Sequence, residues 1–124
     1  MDEMDSKAII DLCLVHGFVL AGIAPASTSN YVSQLEEWLA QGKQGEMEWL
    51  NRNITVRLDP RQLLVGAQSV ICVADRYGKL DEDSLQEGHG RIARYARGLD
   101  YHNEMKKRLH KVCDTLQEQF PEEQ

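Results

Sequence analysis

The 124-residue sequence lacks the features that mark several classes of protein. Its longest apolar run, residues 18–26, has the length of a strand and falls well short of the roughly 20 residues that span a bilayer. The N-terminus is acidic, whereas a secretory signal is basic, so no targeting segment is indicated. The length fits one domain. We therefore expect a cytoplasmic protein, a monomer that does not interact with membranes.

Cysteine is scarce, and its spacing excludes local metal sites. Cys13, Cys72 and Cys113 lie far apart, each within an apolar periodic segment, so we expect three buried, reduced thiols. No CxxC pair is present, and neither a zinc ribbon nor an iron–sulfur cluster can be built from adjacent cysteines. GxGxxG, phosphate-loop, HExxH and GxSxG motifs are also missing. The residues themselves therefore predict no metal ligands and no complete catalytic apparatus.

Charge is unevenly distributed along the chain. The net charge is −6, and the excess of acids lies in residues 1–50. Residues 88–112, in contrast, carry seven Lys or Arg and only the acids Asp100 and Glu104. A basic stretch in an acidic chain indicates a localised anionic partner.

Hydrophobic periodicity and capping residues predict an α/β fold with a mixed sheet flanked by helices. The second strand and the last helix are the clearest elements, and a long helix after a strand usually leads to another strand. No sequence remains for that strand, so we expect an incomplete domain. The predicted elements are a helix capped by Asp5 or Ser6 and running to about His16, a strand at 18–24 covered on both faces, a helix at 31–41, a turn opened by Asp59-Pro60, a strand at 69–74, a loop at 75–90, and a helix whose apolar stripe runs from Met105 to Phe120.

Two short segments in the middle of the chain are candidate binding loops, each with a plain structural alternative. Glycine in Gly45-Glu46-Met47 allows close approach of the backbone to a ligand, but the segment also reads as an ordinary turn before a helix. Arg57 and Arg61 lie near a helix start and suit a phosphate or carboxylate. Surface salt bridges with Asp59 explain the same pattern.

The densest candidate site is the segment at 90–102, Gly-Arg-Ile-Ala-Arg-Tyr-Ala-Arg-Gly-Leu-Asp-Tyr-His. Arginine supplies planar donors, and tyrosine supplies a flat face with a hydroxyl group. This combination favours a large flat ligand, a phosphorylated ligand or RNA with unstacked bases. The alternative is an exposed charged segment with half-buried tyrosines.

Five motifs in this order resemble epoxyqueuosine reductases, over about residues 8–121. They are Gly22-Ile-Ala-Pro25, Gly45-Glu-Met-x-Trp49, Arg57-x-Asp-Pro-Arg61 with Leu63-Leu-x-Gly-Ala67, Ser69-Val-Ile-Cys-Val-Ala74, and Gly90-Arg-Ile-Ala-Arg-Tyr-Ala-x-Gly-x-Asp-Tyr-His102. The resemblance is to the N-terminal, DUF1730-type cobalamin-binding domain, whose fold is similar to that of reductive dehalogenases.

This resemblance implies an oxidoreductase that reduces epoxyqueuosine to queuosine at the wobble position of tRNA. The implied cofactors are reduced cobalamin and two 4Fe–4S clusters held by a following domain. By the same resemblance, the residues that line the cofactor would be Arg57, Arg94, Tyr95, Tyr101 and His102, with the loop Gly45-Glu46-Met47 nearby.

The sequence also departs from the family pattern. The family's proton-donating Asp, its iron–sulfur cysteines and its helical repeats would lie beyond Gln124, so residues 1–124 correspond to part of the cobalamin domain. We therefore expect the chain alone to be inactive. Asp75-Arg76-Tyr77 replaces a Leu-Asn-Tyr-Tyr-type segment, and Leu99 replaces a common Arg. A non-catalytic module that binds or carries a corrinoid is an alternative, and a remnant without a ligand is a third.

Overall fold

A computed structural model describes residues 3–77 and 87–122 of the chain. These residues form a mixed α/β fold, as predicted. The helices are α1 (Glu3–Val15), α2 (Val32–Ala40), α3 (Ile54–Leu58) and α4 (Tyr101–Gln119), and the strands are β1 (Leu20–Pro25) and β2 (Ser69–Ala74). Short 3-10 turns occur at Glu48–Leu50, Pro60–Gln62 and Arg94–Ala96. Most of the loop predicted at 75–90 lies outside the described residues. Within the described ranges, no helix has both the length and the apolar character needed to cross a membrane.

The two strands pair in an antiparallel sheet. At one end the Val19 N–H donates to the Ala74 carbonyl over 3.0 Å, and at the other the Ala26 N–H donates to the Gln68 carbonyl over 2.9 Å. The two pairings run in opposite directions along the chain, which is the antiparallel pattern. The predicted bounds of β2 are confirmed, whereas β1 begins two residues later than predicted.

The chain divides into two compact units by its internal contacts. The first unit comprises Met1–Gly22 and Val73–Gln124, and the second comprises Ile23–Cys72. In the first unit α1 packs on α4. Its buried side chains are Ile9, Cys13, Phe18 and Val112. In the second unit α3 contacts the turn Pro60–Gln62, and Ala26 and Leu39 are buried.

Helix α1 ends in a Schellman motif, which explains the late start of β1. The Phe18 N–H donates to the Cys13 carbonyl over 3.3 Å, and the Gly17 N–H donates to the Leu14 carbonyl over 2.9 Å. Gly17 has φ +89°, the left-handed conformation that this motif requires. The predicted stop at Gly17 is confirmed. The predicted cap is wrong, because α1 begins at Glu3 and Ser6 lies inside the helix.

Replacing Gly17 with alanine should lower the free energy of unfolding by about 1 kcal/mol, because an L-residue is strained at positive φ. A steric clash would not add to this loss, since an added Cβ would lie at an ordinary contact distance of 3.5 Å from the Arg108 Nη1. Urea unfolding measures the change. Gly22→Ala is the matched control, because Gly22 has an ordinary φ and open space around it. Equal losses in both variants would contradict the backbone explanation.

Burial corrects two of the predictions. Strand β1 has no fully buried residue, and Leu20 is 68% exposed, so it is not covered on both faces. An apolar run alone does not create burial, because a two-stranded sheet offers few neighbours to cover it. Of the three cysteines, only Cys13 is buried, whereas Cys72 and Cys113 are exposed.

Helix α4 ends close to the predicted position, before Pro121, and it begins at Tyr101, ahead of the predicted apolar stripe. Asp100 is its N-cap, and its side chain accepts a hydrogen bond from the His102 N–H at 3.0 Å. Val112 is buried and Leu109 and Leu116 are half-buried, as the apolar stripe predicted. Phe120 is already outside the helix at its C-cap position. The N-terminal turns of α4 contribute to the candidate site.

Candidate ligand-binding site

A pocket of about 370 Å³ lies within the first unit. Three segments build it: the residues that follow β2, the turn Arg94–Ala96, and the N-terminal turns of α4. Its wall is largely apolar and aromatic. The lining residues are Asp75, Arg76, Tyr77, Tyr95, Tyr101 and Met105.

Three tyrosine rings form a continuous chain along the pocket. Tyr77 and Tyr95 have ring centroids 6.4 Å apart with an interplanar angle of 86°, and Tyr95 and Tyr101 are 6.2 Å apart at 89°. These edge-to-face contacts match the preferred geometry of aromatic pairs. Each ring stays at least 43% exposed. The rings therefore hold one another in place while they offer apolar surface to a flat ligand.

An Asp–His pair adjoins the end of this chain of rings. His102 stacks on Tyr101, with centroids 4.1 Å apart and an interplanar angle of 27°. Its Nδ1 lies 2.9 Å from Oδ1 of Asp100. This side-chain hydrogen bond, together with one from the His102 backbone N–H, holds the pKa of Asp100 below its usual value. The pair fixes the plane of the imidazole beside Tyr101.

The structure brings together only part of the set of residues proposed from the resemblance. Tyr95 and Tyr101 line the pocket, whereas Arg94 and His102 adjoin them in sequence without lining it. Arg94 is exposed on its 3-10 turn. Its side chain has no hydrogen bond or ion pair among the residues that the structure describes. The guanidinium group is therefore available to an anion near the pocket.

The other proposed residues lie in the second unit. Arg57, on α3, places its guanidinium carbon 5.3 Å from the centroid of the Trp49 ring. Gly45 has φ +57° in the turn that precedes Glu46 and Met47, and Met47 is 43% exposed. Gln44 is buried, and its Oε1 has no hydrogen-bond donor within the described part of the chain. This loop therefore contains a buried, unsatisfied acceptor.

The salt-bridge interpretation is confirmed for Arg61. Its Nε donates to Asp59 Oδ1 over 2.9 Å, and its Nη2 donates to Asp59 Oδ2 over 2.7 Å. The Thr28 hydroxyl donates to the same carboxylate over 2.9 Å and accepts from Arg61 over 3.1 Å. Hydrogen bonding to Arg61 is the main reason that the pKa of Asp59 falls far below its usual range. The Nε and Nη2 of Arg61 are therefore engaged by Asp59 and Thr28.

Sequence reasoning did not identify Asp75, Arg76 and Met105 as pocket residues. The spacing of Tyr101, Met105 and Arg108 is i, i+4, i+7, which places all three on one helix face. That spacing was a usable signal. Asp75 and Arg76 gave no such signal, because their positions depend on the contact between the end of β2 and α4.

Cobalamin, which the resemblance implies, fits the pocket in part. Its corrin ring is flat and partly apolar, which suits the exposed faces of Tyr77, Tyr95 and Tyr101. A whole corrinoid exceeds 370 Å³, so a bound one would lie partly outside this pocket. Among the described residues, no group of three or more His, Cys, Asp or Glu is placed to hold a metal ion.

Comparisons with known proteins agree with the motif resemblance. The family model described as "Epoxyqueuosine reductase QueG, DUF1730" matches residues 57–124. A protein named epoxyqueuosine reductase from Xanthomonas campestris pv. campestris is 34% identical over 122 residues, covering 94% of this chain and 34% of the relative. One of the same name from Synechococcus sp. strain RCC307 is 37% identical, covering 94% of this chain and 36% of the relative.

A solved structure shares the fold. It is that of epoxyqueuosine reductase from Streptococcus thermophilus, with a TM-score of 0.76 and 23% identity, and the match covers 90% of this chain and 31% of that chain. The present chain thus spans about one third of the length of the relatives it matches. Because the family model covers more than half of the sequence, the chain belongs to the epoxyqueuosine reductase QueG (DUF1730) family.

Proposed function

We propose that this chain is part of an oxidoreductase that reduces epoxyqueuosine to queuosine at the wobble position of tRNA, using reduced cobalamin. The names of its relatives support the reaction. Electrons would come from two 4Fe–4S clusters, and a proton from an aspartate, all held by residues outside these 124. With both supplies elsewhere, the chain alone is not expected to complete the reaction.

The aromatic pocket of the first unit carries this proposal. Tyr95 and Tyr101 come from the segment with the most specific family motif, and that segment lies inside the matched region. Flat, exposed rings next to a basic stretch suit a large cofactor with anionic or amide side groups. A role in core packing does not explain Tyr77, Tyr95 and Tyr101, because all three side chains stay substantially exposed.

The three tyrosines of the pocket and two residues beside it have definite roles in the proposal. When bound, reduced cobalamin would supply the electrons that remove the epoxide oxygen. Tyr77, Tyr95 and Tyr101 would provide apolar contact surface for its flat ring. Arg94 offers a charge to a phosphate or an anionic side group near the pocket. His102, oriented by Asp100, holds Tyr101 in place by stacking.

The test is a titration of the purified chain with cob(II)alamin, followed by its visible spectrum and by thermal unfolding. We expect a saturable spectral change, and a Tm that rises with ligand concentration. Tyr95→Ala should weaken binding about tenfold, because stacking on one aromatic ring contributes about 1–3 kcal/mol.

Tyr31→Ala is the matched control. Tyr31 is 69% exposed, belongs to the second unit and makes no ring contact within the described residues. Its removal should leave the affinity for cob(II)alamin unchanged. A chain that unfolds cooperatively and shows no saturable spectral change would refute the proposal, and equal losses in the Tyr31 and Tyr95 variants would place the ligand outside this pocket.

A further inference from the structure

Arg108 joins three parts of the first unit. Its Nη1 donates to the Gly17 carbonyl over 3.0 Å. Its Nη2 is hydrogen-bonded to the Asp75 carboxylate. Its guanidinium carbon lies 4.6 Å from the centroid of the Phe18 ring. One side chain on α4 thus contacts both the residues that precede β1 and the residue that follows β2.

Arg108 shares a helix face with one wall of the pocket. Tyr101 and Met105 line that wall, seven and three residues before Arg108 on α4. Residues at i, i+4 and i+7 project from the same side of a helix. A helix transmits position along its axis with little deformation, so the place where Arg108 is anchored determines where Tyr101 and Met105 lie.

The opposite wall depends on the same anchor. Asp75, Arg76 and Tyr77 directly follow β2. The last residue of β2, Ala74, accepts a hydrogen bond from the Val19 N–H through its carbonyl. Within the described residues, the hydrogen bond that ties these three residues to another element is the one from Arg108 to Asp75. Among the residues that the structure describes, the Arg76 N–H donates to the neighbouring Asp75 carboxylate, over 2.8 Å.

The ion pair between Arg108 and Asp75 is partly shielded from water, which helps it to hold Asp75 in place. The side chains of Arg108 and Asp75 are 26% and 27% exposed, less than those of the other ion pairs found in the described residues of this unit. Hydrogen bonding to Arg108 is also the main reason that the pKa of Asp75 lies below its usual value, so the carboxylate is ionised near neutral pH. Two charge-assisted partners at a partly buried site fix a geometry better than exposed pairs do.

We propose that Arg108 is a positioning residue for the pocket, because its bond to Asp75 sets the separation between the Tyr77 wall and the Tyr101–Met105 wall. The Tyr77 ring in turn contacts the Tyr95 ring. A shift of Asp75 away from Arg108 would move Tyr77 and break the chain of edge-to-face rings. The role deepens the function proposed above, and its first test requires no ligand.

The first test is ¹⁹F NMR of the chain labelled with 3-fluorotyrosine. The sequence has four tyrosines, so four resonances are expected, and single Tyr→Phe variants assign them. In Arg108→Met, the Tyr77 and Tyr95 resonances should leave their native positions, while Tyr31 stays unchanged. Asp75→Asn should move the same two resonances in the same direction. Arg108→Lys, which keeps the charge, should restore part of the native shift.

Lys107→Met is the matched control, because Lys107 is the adjacent residue and makes an exposed pair with Glu104 at 3.1 Å. It should leave all four resonances in place. If Arg108→Met lowers the Tm but its folded state keeps the native Tyr77 and Tyr95 resonances, Arg108 is a purely structural residue and the inference is wrong. Should Arg108→Met fail to fold, the Asp75→Asn spectrum decides the same question.

The second readout is the affinity for cob(II)alamin. Arg108→Met and Asp75→Asn should each weaken binding about tenfold, and the double variant no more than either, since both break one charge-assisted bond. If the unaltered chain does not bind cob(II)alamin, the proposed function fails while the NMR result still tests the positioning role. A third outcome is that both variants displace the Tyr77 and Tyr95 resonances but bind cob(II)alamin with unchanged affinity. The separation of the walls would then not determine that affinity, and the role in binding would be overturned.

Discussion

Replacing Phe18 with alanine should lower the free energy of unfolding by about 3–4 kcal/mol. The side chain is 3% exposed, and it is the largest of the buried residues that the structure describes in the first unit. Its ring also lies under the Arg108 guanidinium, so truncation removes a cation–π contact as well as apolar burial. A domain of this size is stable by only about 5–15 kcal/mol, so the loss is a large fraction of the total.

Urea unfolding followed by circular dichroism measures this change. Phe120→Ala is the matched control, because the same ring at the C-terminal end of α4 is 38% exposed. We expect that control to cost less than about 1 kcal/mol. Similar losses for Phe18 and Phe120 would show that the Schellman motif and the contact with Arg108 do not bury Phe18 in solution.

Two of the three thiols in the native chain should react rapidly with Ellman's reagent, and the third only after the chain opens. Cys72 and Cys113 are exposed, whereas Cys13 is fully buried. Burial also raises the pKa of the Cys13 thiol, which reduces the fraction of reactive thiolate. Reaction of Cys13 in the native state then requires local opening, and we expect it to be at least about 100-fold slower.

Two variants identify the thiols. Cys13→Ser should keep both fast reactions and lose the one that appears in denaturant. The double variant Cys72→Ser, Cys113→Ser should lose both fast reactions. Three thiols reacting at the same rate in buffer would contradict the packing of α1 against α4.

The local elements were predictable where the pattern and its boundary residues agreed. Strand β2 has its predicted bounds because an apolar β-branched run lies between Gly66 and Asp75. The turn at Pro60 follows from Asp59, whose carboxylate accepts from the Arg61 N–H. Helix α4 follows from its apolar stripe. In each case the decisive interactions lie within a few residues along the chain.

Predictions that depended on distant partners fared worse. The apolar run at 18–26 predicted a strand covered on both faces, but burial depends on what packs against it, and the sequence does not specify that. For the same reason, the prediction that Cys72 and Cys113 are buried was wrong. The apolar run placed Phe18 in the predicted strand. In the structure Phe18 belongs to the end of α1, because its N–H donates to the Cys13 carbonyl. The apolar pattern does not reveal that turn.

The candidate site was predictable as a segment but not as an arrangement. The composition of residues 90–102 predicted a binding segment, and Tyr95 and Tyr101 of that segment line a pocket. The opposite wall comes from Asp75, Arg76 and Tyr77, the segment in which the sequence departs from the family pattern. The link between the walls is the bond between Arg108 and Asp75, 33 residues apart in sequence. Such pairings become visible only when the strand and the helix are in place.

The Arg108 contact also affects the order in which the chain folds on the ribosome. Gly17 and Arg108 are 91 residues apart. At roughly 5–20 residues per second, the partner of Gly17 and Phe18 is synthesised about 5–20 s after them. Isolated helices as short as α1 are marginal in water, so α1 and Phe18 lack their contacts with α4 during that interval. Phe18 therefore becomes protected only after Arg108 has been made, and it is an apolar site available to a chaperone in the meantime.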